Sequence, residues 1–234
     1  MIQTLPPSGD PPPDAPTRGS ADHPMRQVTR AVARDAAAWS PQMAHRVTET
    51  FDGLAAEWHT RLRPDRTAGL EDAFARGWPP TPAGAPPTHR GAQTSPFTGA
   101  GVGEVCLELG SGTGFTTPWL AERFPIVLAV DLSAQMLARA PAASGLRVRA
   151  DGARLPLRDG AVDVAVLVNA LLFPAELDRV LAPSGTLVWV NTSGASTPIH
   201  LPAEDVEAAL PGAWDGVASQ AGAATWTVLR RAGT

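Results

Sequence analysis

Apolar residues change their spacing near residue 103, and that change divides the chain. Between residues 25 and 77 they recur every three or four positions, the period of amphipathic helices. "MRQVTRAVARDAAAWS" (25–40) predicts one helix. "PQMAHRVTETFDGLAAEWHTRL" (41–62) predicts a second, on which Val47, Phe51, Leu54, Ala55 and Trp58 form a stripe. "RTAGLEDAFARG" predicts a third, stopped by Gly77. From residue 103 onward, continuous apolar runs alternate with helix-like segments instead. "EVCLELG", "IVLAVD", "LRVRAD", "VDVAVLVNA" and "GTLVWVNT" read as strands, and "WDGVASQAG" with "ATWTVLRRA" reads as a closing hairpin. Helices are expected between them, over "GFTTPWLAERF", "AQMLARA", "PAELDRVLA" and "PAEDVEAAL". Continuous apolar strands alternating with helices imply a parallel sheet covered on both faces. The expected fold is α/β: a Rossmann-like, doubly wound, mostly parallel seven-stranded sheet. An antiparallel C-terminal hairpin lies at its edge, and an N-terminal helical cap precedes it.

Two stretches lack either period. Residues 1–24, "MIQTLPPSGDPPPDAPTRGSADHP", have too little apolar surface to offset ordering entropy and read as a disordered proline-rich tail. Residues 78–101, "WPPTPAGAPPTHRGAQTSPFTGAG", read as a lid or linker longer than compact domains usually carry. The domain plan is a tail over 1–24, helices with a lid or linker over 25–98, and the sheet domain over 99–234.

The composition narrows the chemistry. A net charge of −4 gives no clustered basic surface for a nucleic acid. All 19 basic residues are arginine and tyrosine is absent, so no Schiff base, P-loop lysine or tyrosine general acid can be built. The single cysteine, Cys106, lies in an apolar run and reads as a buried structural thiol. No apolar run reaches the ~20 residues of a membrane span, and no secretory leader is visible, so a cytoplasmic protein is expected.

The glycine turn after the first sheet-domain strand, "ELGSGTG", carries the most specific signal. A dinucleotide fingerprint would place a third glycine where Phe115 stands, and a benzyl group there obstructs close packing of helix on strand. The glycines fall instead at Gly110, Gly112 and Gly114, after Glu108. Together with "AVDLS", "ADGARLPLRDGAVDVAV" and "LDRVLAPSGTLVWV", in that order, the turn resembles the class I S-adenosylmethionine-dependent methyltransferases, of the small-molecule, type 11-like kind. The resemblance covers residues 45–231. It departs from the usual pattern at Val162, where a phenylalanine is common, and at Ser184, where a glycine is.

That resemblance implies S-adenosylmethionine as cofactor and assigns its site. Glu108, Gly110, Ser111, Gly112 and Gly114 would form the turn against the methionine end, and Asp131 would hold the ribose. Leu132 and Met136 would flank ribose and adenine, Asp151 would accept from the adenine amino group, and Gly152 would let the backbone meet the ring. Asn169 would stand where the site opens toward the transferable methyl. The cofactor carries no phosphate, so no arginine clamp is expected, and none lies in the turn. Asp131 stands 21 residues beyond Gly110, a spacing that suits a dinucleotide equally well. Glu108, Asp151 and Asn169 also have structural readings, as helix cap, turn former and loop amide.

No metal site and no catalytic residue can be named. His59 and His200 are the best-placed histidines for a general base, should the acceptor need one. Trp58, Trp78, Phe97 and Phe173 are candidate walls for a small-molecule acceptor, and residues 45–98, with the stripe of Phe51, Leu54 and Trp58, are expected to form a mobile cover over it; nucleic-acid and membrane partners are not expected. The acceptor, its reacting atom and the oligomeric state stay open. A nicotinamide-dependent oxidoreductase and a non-catalytic cofactor-binding scaffold stay open as alternatives.

Overall fold

Eight strands form one sheet in a computed structural model, which describes residues 1–11, 23–61, 65–77, 105–141 and 145–232. In chain order the elements are β1 (Ile2–Thr4), α1 (Pro24–Arg34), α2 (Pro41–Leu54), α3 (Ala68–Arg76), β2 (Val105–Leu109), α4 (Thr117–Ala121), β3 (Ile126–Asp131), α5 (Ala134–Leu137) and β4 (Leu146–Arg149). β5 (Val162–Val168), α6 (Pro174–Val180), β6 (Leu181–Asn191), α7 (Ala203–Ala209), β7 (Trp214–Ala221) and β8 (Ala224–Arg231) follow. The strand order is β1-β7-β8-β6-β5-β2-β3-β4. The five strands β4, β3, β2, β5 and β6 run parallel, and β8 pairs antiparallel with both β6 and β7. The strand order reverses between β2 and β5, where an open α/β sheet leaves a crevice beyond its strand ends.

Successive residues of each strand face opposite sides, and each side has its own core. Leu107, Leu109, Ala165, Leu167, Leu187 and Trp189 pack on one face; Cys106, Val164, Val166, Val188 and Val190 pack on the other. The buried thiol of Cys106 is as expected, and burial pushes it well above its ordinary pKa.

Three expectations need correction. Residues 1–11 are not an unattached tail: Ile2–Thr4 pair in parallel with Gly216–Ala218, Leu5 N–H donates to Ala218 O at 2.8 Å, and Ser8 bridges Ala221. β1 adds the eighth strand and covers the hairpin's outer edge; the three residues are enough because β7 offered unpaired backbone groups. The rest of the expected tail, residues 12–22, lies outside the described residues. The helix expected over 25–40 breaks at Asp35, whose extended backbone (φ −144°) lets its side chain cap a short 3-10 turn over 36–38. The helix expected over 41–62 is α-helical only to Leu54 and tightens to 3-10 geometry over 55–61.

α3 matches its expected span and ends at Gly77, but it is no cap. Leu70, Ala73 and Phe74 are fully buried against the sheet, and Phe74 meets Trp119 and Phe124 edge-on. Asp72 receives Arg76 and the Trp226 indole N–H, the latter at 2.7 Å. Val32 and Ala33 of α1 belong to the opposite core. Of the cover expected over residues 45–98, the part from residue 78 on, with Trp78 and Phe97, lies outside the described residues. Among the described residues no helix is long and apolar enough to cross a membrane.

Candidate functional site

β2 delivers Glu108 into the interior, on the same face as Cys106, where Thr117 Oγ1 of α4 donates to its carboxylate at 2.5 Å. Burial raises the Glu108 pKa to about 8; the Thr117 bond and the Arg66 cation oppose that rise, and Asp131 adds to it. The chain then turns through Gly110, Gly112 and Gly114, all at positive φ. At Gly110 (φ +75°) a methyl group would also stand 2.7 Å from the Ala170 Cβ, so only glycine fits. The turn is tied to β3, because the Gly110 and Ser111 N–H groups both donate to Val130 O.

Asp131 ends β3 and organises this crevice. Its Oδ2 accepts from Gly112 N–H and its Oδ1 from Ser133 N–H, each at 2.8 Å. Burial raises its pKa, those two amides lower it, and the nearby Asp52 carboxylate raises it further.

Between these strand ends and the N-terminal helices lies a cleft with about 920 Å³ of space, partly open to solvent. Its walls include Glu108, Gly110, Ser111, Gly112, Asp131, Leu132, Met136, Gly152 and Asn169, nine of the residues singled out in the sequence. Gly152 is needed for close approach, since a Cβ there would meet the Phe173 ring at 2.7 Å. Asn169 is the non-glycine residue of positive φ (51°) among the described residues, and its side chain exchanges hydrogen bonds with Thr192. A residue held in that sparsely populated region marks a site the surroundings over-determine.

Two expected site residues stand apart. Gly114 does not line the cleft; it closes the turn, donating to Ser111 O at 3.0 Å. Asp151 does not line it either, although Ala150 and Gly152 do. Both its oxygens accept from the Trp39 indole N–H, at 2.9 and 3.0 Å, and one also accepts from Ala153 N–H. Neither His59 nor His200 reaches the wall. His200 lines a separate cavity beside Trp189, and burial, with Arg26 and Arg30 nearby, lowers its pKa.

The N-terminal region supplies one wall of the cleft, in which Trp39 joins the expected stripe residues Val47, Phe51 and Trp58. Trp39, Val47, Phe51 and Trp58 cover the apolar side, with Trp39 edge-on to Phe173 at 5.1 Å between centroids. Asp52 of α2 fastens this cover to α5, accepting from Ser133 Oγ and from Gln135 N–H. Arg66 also enters the cleft, against the expectation that no arginine would. Nothing in the sequence separates Arg66 from the other arginines, because its position depends on how the segment after α2 folds back.

Among the described residues, two buried polar atoms in this cleft have no hydrogen-bond partner: Ser111 Oγ and Arg66 Nε. Buried polar groups are nearly always satisfied, so a hydroxyl and a guanidinium left open in one apolar cleft indicate a polar ligand. The set of donors and acceptors fits S-adenosylmethionine, which offers ribose hydroxyls, an α-ammonium and an α-carboxylate and needs no phosphate clamp.

Comparison with known proteins agrees. Residues 107–189 match the family model described as "Methyltransferase domain". A 23S rRNA (guanine(748)-N(1))-methyltransferase of Streptomyces fradiae is 37% identical over 116 residues, which cover 46% of this chain and 40% of that protein. The match therefore spans about two fifths of that relative's length. A solved DhpI–SAH complex superposes with a TM-score of 0.59 at 19% identity, over 82% of this chain and 98% of that one, and so shares the fold.

Proposed function

We propose that this chain, whose sheet domain belongs to the class I S-adenosylmethionine-dependent methyltransferases, binds S-adenosylmethionine in the cleft described and transfers its methyl group to a small, planar or apolar acceptor. The observation that carries the reading is the cleft itself. It joins a glycine turn, a buried strand-end carboxylate and two open polar groups on one wall to an aromatic wall opposite. When bound, S-adenosylmethionine supplies an electrophilic methyl on a sulfonium, which is the difficult part of the chemistry.

The chain's residues then have binding, orienting and shielding tasks. Asp131 accepts from the ribose hydroxyls, with its geometry fixed by Gly112 and Ser133. Leu132 and Met136 flank the nucleoside, and Gly152 lets the backbone approach it. Glu108 accepts from the α-ammonium, which draws its proton off. Asp151, at the cleft's edge, can accept from the adenine amino group while keeping the Trp39 bond, because a carboxylate has about four acceptor positions. Asn169 borders the methyl end. Trp39, Phe51 and Trp58 exclude water and offer faces on which an acceptor stacks, so rate comes from alignment and desolvation. Among the described residues no histidine lines the cleft, which favours an acceptor that needs no histidine base.

The rRNA relative favours a second reading, in which the planar acceptor is a base of ribosomal RNA. The net charge of −4 weighs against it, because RNA binding draws on clustered cations. The deciding experiment supplies methyl-labelled S-adenosylmethionine with either a small-molecule extract or ribosomal RNA. Label in the extract arm supports the leading reading; label in RNA alone replaces it with the second.

A further inference from the structure

The open guanidinium of Arg66 has a use that goes beyond general cofactor binding. Resting on the reading above, we infer that Arg66 is the anion site of the cleft and holds the α-carboxylate of the cofactor, facing Glu108, which takes the α-ammonium. The pair would read the zwitterionic amino-acid end as a unit.

Three observations lead there. Arg66 lines the cleft, and its Nε is buried without a hydrogen-bond partner among the described residues. It forms no hydrogen bond or ion pair with any described residue. A half-buried guanidinium whose Nε is shut off from water with no partner among the described residues is costly, and a fold retains one mainly where something charged arrives to complete it. Among the described residues the carboxylates of the cleft wall are Glu108 and Asp131, and neither lies within ion-pair distance of Arg66. Asp131 is already engaged by two backbone amides. Glu108 is engaged by Thr117 and is electrostatically coupled to Arg66, which puts the cation at the same end of the cleft. The arriving anion is therefore the one nearest the group that Glu108 binds.

The chemistry also separates Arg66 from the backbone turn. Glycine amides can approach any part of the cofactor, but they do not distinguish a carboxylate from a neutral group. A guanidinium presents five N–H donors in a planar fork that matches a carboxylate with two parallel bonds. Lysine could supply the charge but not the fork, and the chain contains none.

The test is calorimetric titration of the whole chain with three probes. These are S-adenosylhomocysteine, its decarboxylated analogue, and 5′-methylthioadenosine, which lacks the amino-acid end. Wild type should prefer S-adenosylhomocysteine over the decarboxylated analogue by about 10- to 100-fold, the worth of a charge-assisted bond in a dry site. Arg66→Gln should remove that preference and leave 5′-methylthioadenosine affinity unchanged, while Arg66→Lys should restore part of it. Equal losses for all three probes in Arg66→Gln would assign Arg66 a packing role and overturn the inference. Wild type needs no folding control: if it binds 5′-methylthioadenosine but does not distinguish the carboxylate from its absence, Arg66 is not the anion site, though the cofactor reading stands. Wild type that binds none of the three overturns both.

Discussion

α2 and α3 lie close in the chain and share an amphipathic pattern, yet they do opposite things. α3 buries Gly69, Leu70, Ala73 and Phe74, and its Asp72 is locked by Arg76 and Trp226. α2 buries Val47 alone and lays Phe51 over the cleft. Its only side-chain hydrogen bonds with the sheet domain, among the described residues, are those that Asp52 accepts from the start of α5. A helix that gives its whole apolar stripe to the core becomes scaffold. One that withholds most of it becomes a wall for something else.

The largest effect should come from breaking that difference at its firmer end. Phe74→Ala should cost about 3–5 kcal/mol of folding stability, as deletion of a buried aromatic does. Phe51→Ala should cost less than half as much and instead weaken acceptor binding. Urea denaturation and ligand titration on both variants check this, and comparable stability losses would erase the distinction.

A second large effect is a pH dependence at Glu108. Its native pKa of about 8 lies above the unfolded value of 4.5, so between those values the native state holds a proton that the unfolded chain has released. Stability should therefore fall as pH rises through this window. Glu108→Gln should flatten the profile, read from urea midpoints at pH 5 and pH 9. An unchanged slope would show that Glu108 titrates normally.

Asp131→Ala should weaken S-adenosylhomocysteine binding by about 1–3 kcal/mol, through the lost acceptor and the loosened Gly112 amide. Unchanged affinity would remove Asp131 from the ribose site. Amide exchange sharpens the comparison further: protection of residues 41–58 should rise on binding, while residues 68–76 stay equally protected with and without ligand.

The difference between the two helices also explains what the sequence could and could not reveal. Glu108, the glycine turn, Asp131 and Met136 sit within one βαβ stretch, where short-range spacing encodes them. Arg66, Asp52 and Trp39 reach the same cleft from far away in the chain, and their roles depend on tertiary approach. Thus the stripe of Phe51 and Trp58 is legible as a cover for the acceptor site, but the place of Trp39 beside it is not. α3 was visible as a helix, but its burial was not, because a nine-residue amphipathic segment looks alike on a core and on a lid. β1 was hidden for another reason. Its pairing uses backbone groups, and the proline-rich sequence around it has no strand period. Deleting residues 1–8 should accordingly cost about 1 kcal/mol, a fall of about 2–4 °C in Tm. No change in Tm would mean that the edge strand contributes nothing, as the tail reading expects.

Every role assigned to a cleft residue depends on which nucleoside the cleft accepts. The most direct measurement is parallel calorimetric titration of the full chain with S-adenosylmethionine, S-adenosylhomocysteine and NAD. Saturable binding of the first two with no heat from NAD is the predicted result, and binding of NAD without the other two would contradict it.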